Sequence, residues 1–321
     1  MSTDLSILIV AWRCRDDLAH CLASLPAAVG DLESETVVVD NASGDGTAEM
    51  VRERFPAVHL IANTGNRGFA AANNQALAVA TGRHVLYLNP DTRPEAGSLA
   101  VLVRTLDADE GLGAAGPQLR GADGEIQPSV RTDPTFAALL HQYTPLRLLR
   151  IVGPAYRRYK RRDMDFTVAA DVDTLMGAAL CVPRRVLDEV GPMDERFFVY
   201  HEEADLCLRI RQAGYRVRFE PAARVTHVGG VSSAQAAAGV LYLRNLYRFL
   251  YKHHGPLKGA LMVTALRVGL FLREALQVPM QGLAAGGYLL VGRVDRARRR
   301  GRRAAQAVRY LCCDAWRTLF V

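Results

Sequence analysis

Much that would assign this chain to another class is missing from it. None of its six cysteines lies in a CxxC pair. That leaves no disulfide framework, and Cys14, Cys21, Cys181, Cys207, Cys312 and Cys313 read as reduced thiols of a cytosolic compartment, most of them packing residues. The first residues, MSTDLSILIVAWR, lack the basic leader and cleavage site of a signal peptide and read as a first strand. There is no internal repeat, no helix-turn-helix and no pattern of stacking aromatics, so a nucleic-acid partner has no support. Negative charge is scarce near the C-terminus: residues 240–321 hold fifteen basic residues and three acidic ones. The whole chain of 321 residues carries a net charge of +7, so the other 239 residues sum to −5. A mildly acidic body with a strongly basic tail suits an anionic surface.

What is present is globular: half of the residues are hydrophobic and 23% are charged. The first half alternates strand and helix. Residues 5–11, 36–39, 58–62 and 85–88 are short apolar runs of the kind buried on both faces of a sheet. Helical stretches lie between them at 47–55 and 69–80. This rhythm predicts an α/β fold with a mostly parallel sheet and flanking helices. Residues 121–171 are less regular and are punctuated by prolines. Within them the run Arg157-Arg158-Tyr159-Lys160-Arg161-Arg162 is expected to be a mobile loop, either a solvated face or a flap over an anion. Regular structure returns at 172–182, in helices at 184–190 and 203–213, and in two short strands at 216–219 and 224–227.

Beyond residue 231 the character changes to a helical, basic extension. Residues 234–253 read as one long helix, ended by Gly255-Pro256. The next stretch, 257–278, is apolar but carries Lys258, Arg267, Arg273 and Glu274, which argues against a membrane-crossing helix. On a helical wheel Arg267, Arg273, Glu274, Gln277 and Gln281 share one side. Leu261, Met262, Ala265, Leu266, Val268, Leu272, Ala275 and Leu276 occupy the other. This predicts an amphipathic helix lying in a membrane interface, or else one packed on the N-terminal body or in a homodimer interface. The expected domains are 1–232 and 233–321.

Five constellations carry chemistry. Asp40-Asn41-Ala42-Ser43-Gly44-Asp45-Gly46-Thr47 follows the second strand, where open α/β sheets bind ligands, and a carboxylate there can meet a nucleobase or ribose. Asn63-Thr64-Gly65-Asn66-Arg67-Gly68 precedes a helix N-terminus that favours an anion, and Arg67 matches phosphate geometry. Asn89-Pro90-Asp91 ends the fourth strand, and one carboxylate beside a diphosphate is the minimum for holding Mg²⁺ or Mn²⁺. Glu202, Glu203 and Asp205 crowd a helix start, where a carboxylate base for a hydroxyl nucleophile could sit. His227 ends a strand before two glycines and could complete a metal shell.

In order along the chain, SILIVAW, VVVDNASGDGT, NRGFAAANNQAL, LYLNPDT and the long run from MGAALCVPRRV to RVTHVGG resemble the family 2 glycosyltransferases. The likeness is strongest to bacterial rhamnosyltransferase-like enzymes of cell-wall and polysaccharide assembly, and it covers about residues 5–230. It implies a GT-A fold and an inverting transfer of a sugar, with rhamnose from dTDP-rhamnose as the first expectation and galactosyl, glucosyl or mannosyl transfer as alternatives. It implies that Asp40 contacts the donor nucleoside and that Ala11, Trp12, Asn41, Asn66, Arg67, Gly68, Asn89, Asp91 and Gly177 line the donor pocket. Asp91 matches the last acid of the family's DxD motif, Glu203 the catalytic base, and His227 a histidine that joins the metal in some relatives. Two positions depart from the pattern: Asn89 replaces the first acid of DxD, and Glu203 stands where many relatives have Asp. The departure at Asn89 keeps a catalytically inactive nucleotide- or lipid-binding scaffold in view. The implied partners are a nucleotide sugar, a lipid-linked or glycan acceptor and the inner membrane surface.

Overall fold

The computed structural model describes residues 3–149, 152–161, 164–229, 236–291 and 293–315. The chain opens with β1 (Leu5–Ala11), α1 (Arg15–Val29), β2 (Ser34–Asp40), α2 (Thr47–Arg54), β3 (His59–Ala62), α3 (Phe69–Val79), β4 (His84–Leu88), β5 (Thr92–Pro94), α4 (Ser98–Asp107) and β6 (Leu112–Arg120). There follow β7 (Val130–Arg131), α5 (Phe136–Tyr143), α6 (Gly153–Tyr159), β8 (Ala170–Asp171), β9 (Thr174–Leu175), β10 (Ala179–Pro183), α7 (Arg184–Val190), α8 (Glu202–Gln212) and β11 (Arg216–His227). The C-terminal helices are α9 (Ala236–His254), α10 (Pro256–Leu290) and α11 (Val294–Arg309).

The chain divides into two compact units. The first comprises Met1–Asp133 and Lys160–Ala238, the second Pro134–Tyr159 and Gly239–Val321. In this division 134–159 groups with the C-terminal helices rather than with the sheet.

In the first unit the main sheet runs β3-β2-β1-β4-β10-β6-β11-β5, with β8 beside β11. Strands β3, β2, β1 and β4 are parallel, and β10 runs antiparallel between β4 and β6. Every residue of β1 is buried, as its unbroken apolar run predicts. Its odd residues Leu5, Ile7, Ile9 and Ala11 join Leu18, Cys21, Leu22 and Leu25 of α1 and Leu99, Leu102 and Val103 of α4. Its even residues Leu8 and Val10 join Ala70, Ala72 and Ala76 of α3 and Leu206, Cys207 and Ile210 of α8. The period-2 alternation of a strand thus feeds two cores, one on each face. The two short strands expected at 216–219 and 224–227 form one strand, β11, broken in register between Glu220 and Arg224. All six cysteines are free and four are buried. Burial pushes the thiols of Cys14, Cys21 and Cys207 up to about 12, so they stay protonated packing groups.

The second unit is helical. Leu139 and Tyr143 of α5, Leu246, Tyr247 and Leu250 of α9, and Met262, Val263, Leu266 and Leu270 of α10 form its core. The arginine run expected to be a loop supplies the last turn of α6 through Arg157, Arg158 and Tyr159; Lys160 and Arg161 form a turn, and Arg162 lies outside the described residues. Helix α10 continues past Pro279 for 35 residues in all. Its two sides differ from the expected wheel. Met262 and Leu266 face the core and Glu274 is buried with them, whereas Leu261, Val268, Leu272 and Leu276 are exposed. Arg273 explains the buried acid: it pairs with Glu274 and also donates to the carbonyl of Gln142 at 2.8 Å. Among the described residues no helix is long and apolar enough to cross a membrane.

Candidate active site

Chain direction gathers the site residues at one edge of the sheet. β2 and β3 lie on one side of β1 and β4 on the other, so the order reverses between β1 and β4. Such a switch point opens a crevice at the carboxyl ends of the strands. Ala11 pairs with Asp40 and Ile9 with Leu88, which brings Trp12, Asn41 and Asn89 to this edge. Strand β10 is antiparallel and begins here, with Ala179 opposite Leu88, so Gly177 arrives at the same edge from the other direction. Thr92 of β5 pairs with His227 of β11, which sets His227 beside Asp91.

Asn41 organises the first wall. Its Nδ2 donates to Asn66 Oδ1 (3.0 Å) and to the Gly68 carbonyl (3.1 Å), while its Oδ1 accepts from the Arg67 N–H (2.9 Å) and from Asn63 Nδ2 (3.2 Å). All four hydrogen-bonding positions of the amide are filled inside the protein. Asn41 therefore shapes the pocket and has no side-chain bond left to give a ligand. Asp40 is buried and accepts from the Ser43 N–H at 3.1 Å. Arg67 is exposed, and among the described residues its guanidinium meets no acid. Gly68 has φ +88°, and a Cβ there would lie 2.7 Å from Phe198. The N–H of Phe69 also donates to the Phe198 carbonyl, at 2.6 Å. This close approach joins the loop before α3 to the loop before α8.

Asp91 and His227 form the second wall. His227 Nε2 lies 3.7 Å from Asp91 Oδ1. Gln127 Nε2 donates to the carbonyl of His227 (2.9 Å), which turns Gln127 Oε1 toward the ring, 2.8 Å from Nδ1. Gln127 Oε1 can only accept, so Nδ1 carries a hydrogen and Nε2 is the ring nitrogen turned toward Asp91. Burial pushes the Asp91 carboxyl above its ordinary range, against the opposing pull of His227. A desolvated carboxylate beside an oriented imidazole nitrogen is a donor set that fits a divalent cation. Among the described residues no group of three or more His, Cys, Asp or Glu is arranged to hold a metal. Substrate diphosphate and water would have to supply the remaining ligands. Asn89 uses its backbone N–H on the Ala178 carbonyl (2.9 Å).

The third wall is the start of α8. Glu202 is buried and Glu203 half-buried, and Oε2 of each has no hydrogen-bond partner. Burial raises both carboxyls, Glu202 well above the usual range, with the charge of Glu203 adding to the rise. For Glu203 the rise is opposed by backbone N–H groups at the helix start and by the positive charge of Arg131. Burial disfavours the charged form of both acids, but the opposing N–H groups and Arg131 act on Glu203, so Glu202 is the more strongly raised of the two. Asp205, the third acid of the run, is fully buried and bound to Arg209 at 2.9 Å. Arg209 in turn donates to the carbonyls of Val190, Gly191 and Pro192. Asp205 thus ties α8 to the turn after α7, through a partner the sequence did not reveal. Of the five non-glycine residues with positive φ among the described residues, four (Arg13, Ala42, Tyr200 and His201) flank these walls. Strain of this kind gathers where a site over-determines its backbone.

The sequence pattern described as glycosyl transferase family 2 matches residues 6–167, just over half of the chain. The chain belongs to glycosyltransferase family 2. The N-acetylglucosaminyl-diphospho-decaprenol L-rhamnosyltransferase of Mycobacterium tuberculosis is 29% identical over 296 residues, which span 87% of this chain and 94% of that one. A low-salt glycan biosynthesis hexosyltransferase of Haloferax volcanii is 24% identical over 221 residues, 68% of this chain and 64% of that one. The mannosyltransferase of Pyrobaculum calidifontis, solved in complex with GDP-Man and Mn²⁺, superposes with a TM-score of 0.57 at 20% identity, covering 98% of this chain and 88% of that one. That likeness carries the GT-A-like fold. The sheet with its flanking helices and helical C-terminal region is the fold the motifs implied. This family 2 glycosyltransferase adds residues that no motif singled out: Gln127, Phe198 and Arg131. Each acts across more than 70 residues of chain, and nothing in a single sequence marks such a pairing.

Proposed function

We propose that this glycosyltransferase moves a sugar, with rhamnose from dTDP-rhamnose as the first choice, to a hydroxyl of a polyprenyl-diphosphate-linked acceptor, with inversion at the anomeric carbon. The observation that carries the chemistry is the pair of walls at one edge of the sheet: Glu203, with a carboxylate oxygen that no hydrogen bond occupies, at one, and Asp91 with an oriented His227 at the other. The choice of sugar and acceptor is supported by likeness along nearly the whole length of the mycobacterial rhamnosyltransferase.

Glu203 takes the proton of the acceptor hydroxyl as that oxygen bonds to the anomeric carbon. The bond from that carbon to the nucleoside diphosphate breaks in the same step, and the diphosphate leaves with the bonding pair. Asp91 and His227 are the residues that would hold Mg²⁺ or Mn²⁺. When bound there, such a cation supplies positive charge to the departing diphosphate. Asp40 holds the nucleoside, and Arg67 is free to pair with phosphate. Alignment of two substrates in one crevice contributes roughly 7–11 kcal/mol at best. Docking at the inner membrane surface is the reading supported by the basic α11 and the exposed apolar row of α10.

The test is transfer from a panel of labelled dTDP-, UDP- and GDP-sugars to a lipid extract, with and without a chelator, for the native protein and Glu203→Gln. Chelator-sensitive labelling of lipid from dTDP-rhamnose, lost in the variant, is expected. Labelling from another donor alone would replace the rhamnose assignment. Nucleotide binding without transfer from any donor would mean an inactive scaffold.

A further inference from the structure

The arginines of α11 fall into two sets. Arg296, Arg299, Arg300 and Arg303 follow the spacing of one helix face and, with Tyr288 near the end of α10, line a cavity of about 250 Å³. Arg298 and Arg302 do not line it. Among the described residues no carboxylate pairs with any of the four cavity arginines. Two of them are held by neutral partners: Arg300 donates to Gln281 Oε1 at 3.0 Å, and Arg296 lies 5.9 Å from the centre of the Tyr288 ring. Such contacts fix the direction of a guanidinium without cancelling its charge. Four like charges around one concavity repel each other unless an anion enters, and guanidinium is the group best matched to phosphate oxygens.

The exposed chain on either side of Tyr288 says what kind of phosphate. Leu283 is 79% exposed, Leu289 58%, Leu290 90%, Val291 65% and Val294 46%. These residues flank Tyr288 and the start of α11 along the chain. A soluble phosphate would satisfy the arginines and leave this apolar surface in water, whereas an amphiphile satisfies both. We propose that the cavity of Tyr288, Arg296, Arg299, Arg300 and Arg303 binds the phosphate headgroup of an anionic bilayer lipid, with the exposed leucines and valines entering the acyl region. The inference rests on the membrane docking proposed above and sharpens it from diffuse attraction to a built site.

The test uses the full chain and vesicles of phosphatidylglycerol in phosphatidylcholine, read by co-sedimentation. Arg296→Gln/Arg300→Gln is compared with Arg298→Gln/Arg302→Gln, which removes the same charge from the same helix. The control pair is expected to lose about fivefold in vesicle affinity per charge, and the cavity pair at least tenfold more. Leu289→Ser/Leu290→Ser, with all arginines intact, is expected to lose binding too. Circular dichroism confirms that each variant keeps its helix content. Equal losses for the two arginine pairs would overturn the site while leaving membrane docking intact. Failure of the native chain to bind anionic vesicles would overturn both. Competition separates the sources of phosphate: dihexanoyl phosphatidylglycerol is expected to displace the vesicles, and inorganic phosphate at equal concentration is not. Equal displacement by inorganic phosphate, or by RNA at matched phosphate content, would overturn the lipid assignment.

Discussion

Glu203 lies directly over Gly177, so near that a methyl group at 177 would come within 3.3 Å of the Glu203 Cβ and 3.5 Å of its Cγ. The glycine is thus the floor on which the proposed base rests. Gly177→Ala must push the carboxylate by a few tenths of an ångström. We expect kcat to fall roughly tenfold, since misplacement by about 1 Å can cost 10²-fold. Donor affinity, measured by nucleotide titration, should stay within about twofold, because the change falls on transition-state alignment and not on ground-state binding. A fall in donor affinity that matches the fall in kcat would mean that Gly177 serves the donor instead.

The two glutamates are expected to behave oppositely. Glu203→Gln should lower kcat by roughly 10²–10⁴-fold, the usual worth of a general base, with nucleotide binding retained. Glu202→Gln should keep most activity, because burial raises the Glu202 carboxyl well above the usual range and so favours its uncharged form, which Gln mimics. In the native enzyme kcat/KM should rise with pH as Glu203 ionises, with its midpoint above the ordinary glutamate value, since burial raises that carboxyl. An acidic limb at the ordinary value of about 4.3 would mean that another group titrates.

Stability gives an independent reading of the same pair. Glu202 binds its proton more tightly in the folded state than in the unfolded one. A carboxyl raised in this way makes its full contribution below the unfolded value and loses it as pH rises through the folded value. Replacing it by Gln should therefore raise the melting temperature at pH 8 and leave it unchanged near pH 4. Each pH unit of displacement is worth about 1.4 kcal/mol, or roughly 3–5 °C in a domain of this size. A lower melting temperature for Glu202→Gln at pH 8 would contradict the burial of an uncompensated acid.

The strands and motifs of the first unit were largely readable because parallel βα units write themselves as short apolar runs followed by polar turns. Ala11, Asp40 and Asn89 could be placed at one edge from chain direction alone. The roles were harder to read. Asn41 stands beside Asp40 in the motif, yet its amide is spent entirely on Asn63, Asn66, Arg67 and Gly68. Asp205 shares a helix turn with Glu202, yet its fate is set by Arg209 and three carbonyls. The wheel drawn for 257–278 assumed that charge faces water, and the pairing of Arg273 with Glu274 overturns that. In each case the deciding partner belongs to tertiary structure, which periodicity does not encode.

The amide of Asn41 makes a sharp probe of the first wall. In Asn41→Asp the group facing Asn66 Oδ1 and the Gly68 carbonyl becomes an acceptor, so three acceptors meet with no hydrogen between them. Each buried polar group left unsatisfied costs about 1–3 kcal/mol. Urea denaturation should show a loss of at least about 2 kcal/mol, and donor affinity should fall because the Arg67 loop is no longer held. Asn41→Ala should cost less than Asn41→Asp, since it removes the bonds without adding a buried charge. The reverse order would mean that Asp at 41 finds compensation in the loop.

Asn89 offers the complementary gain. At the second wall one carboxylate, Asp91, stands with His227, and the residue two positions before it is an amide. Asn89→Asp restores a second acid at the same strand end, where its backbone N–H is already anchored on the Ala178 carbonyl. Mn²⁺ affinity, measured by electron paramagnetic resonance with the nucleoside diphosphate present, should rise roughly tenfold, about 1.4 kcal/mol. Asp91→Asn should abolish that binding in both backgrounds, because it leaves the imidazole of His227 without an anionic partner ligand. If Asn89→Asp tightened Mn²⁺ binding equally with Asp91 replaced, the two acids would serve different ions, and the pairing of Asp91 with His227 would not be the metal site.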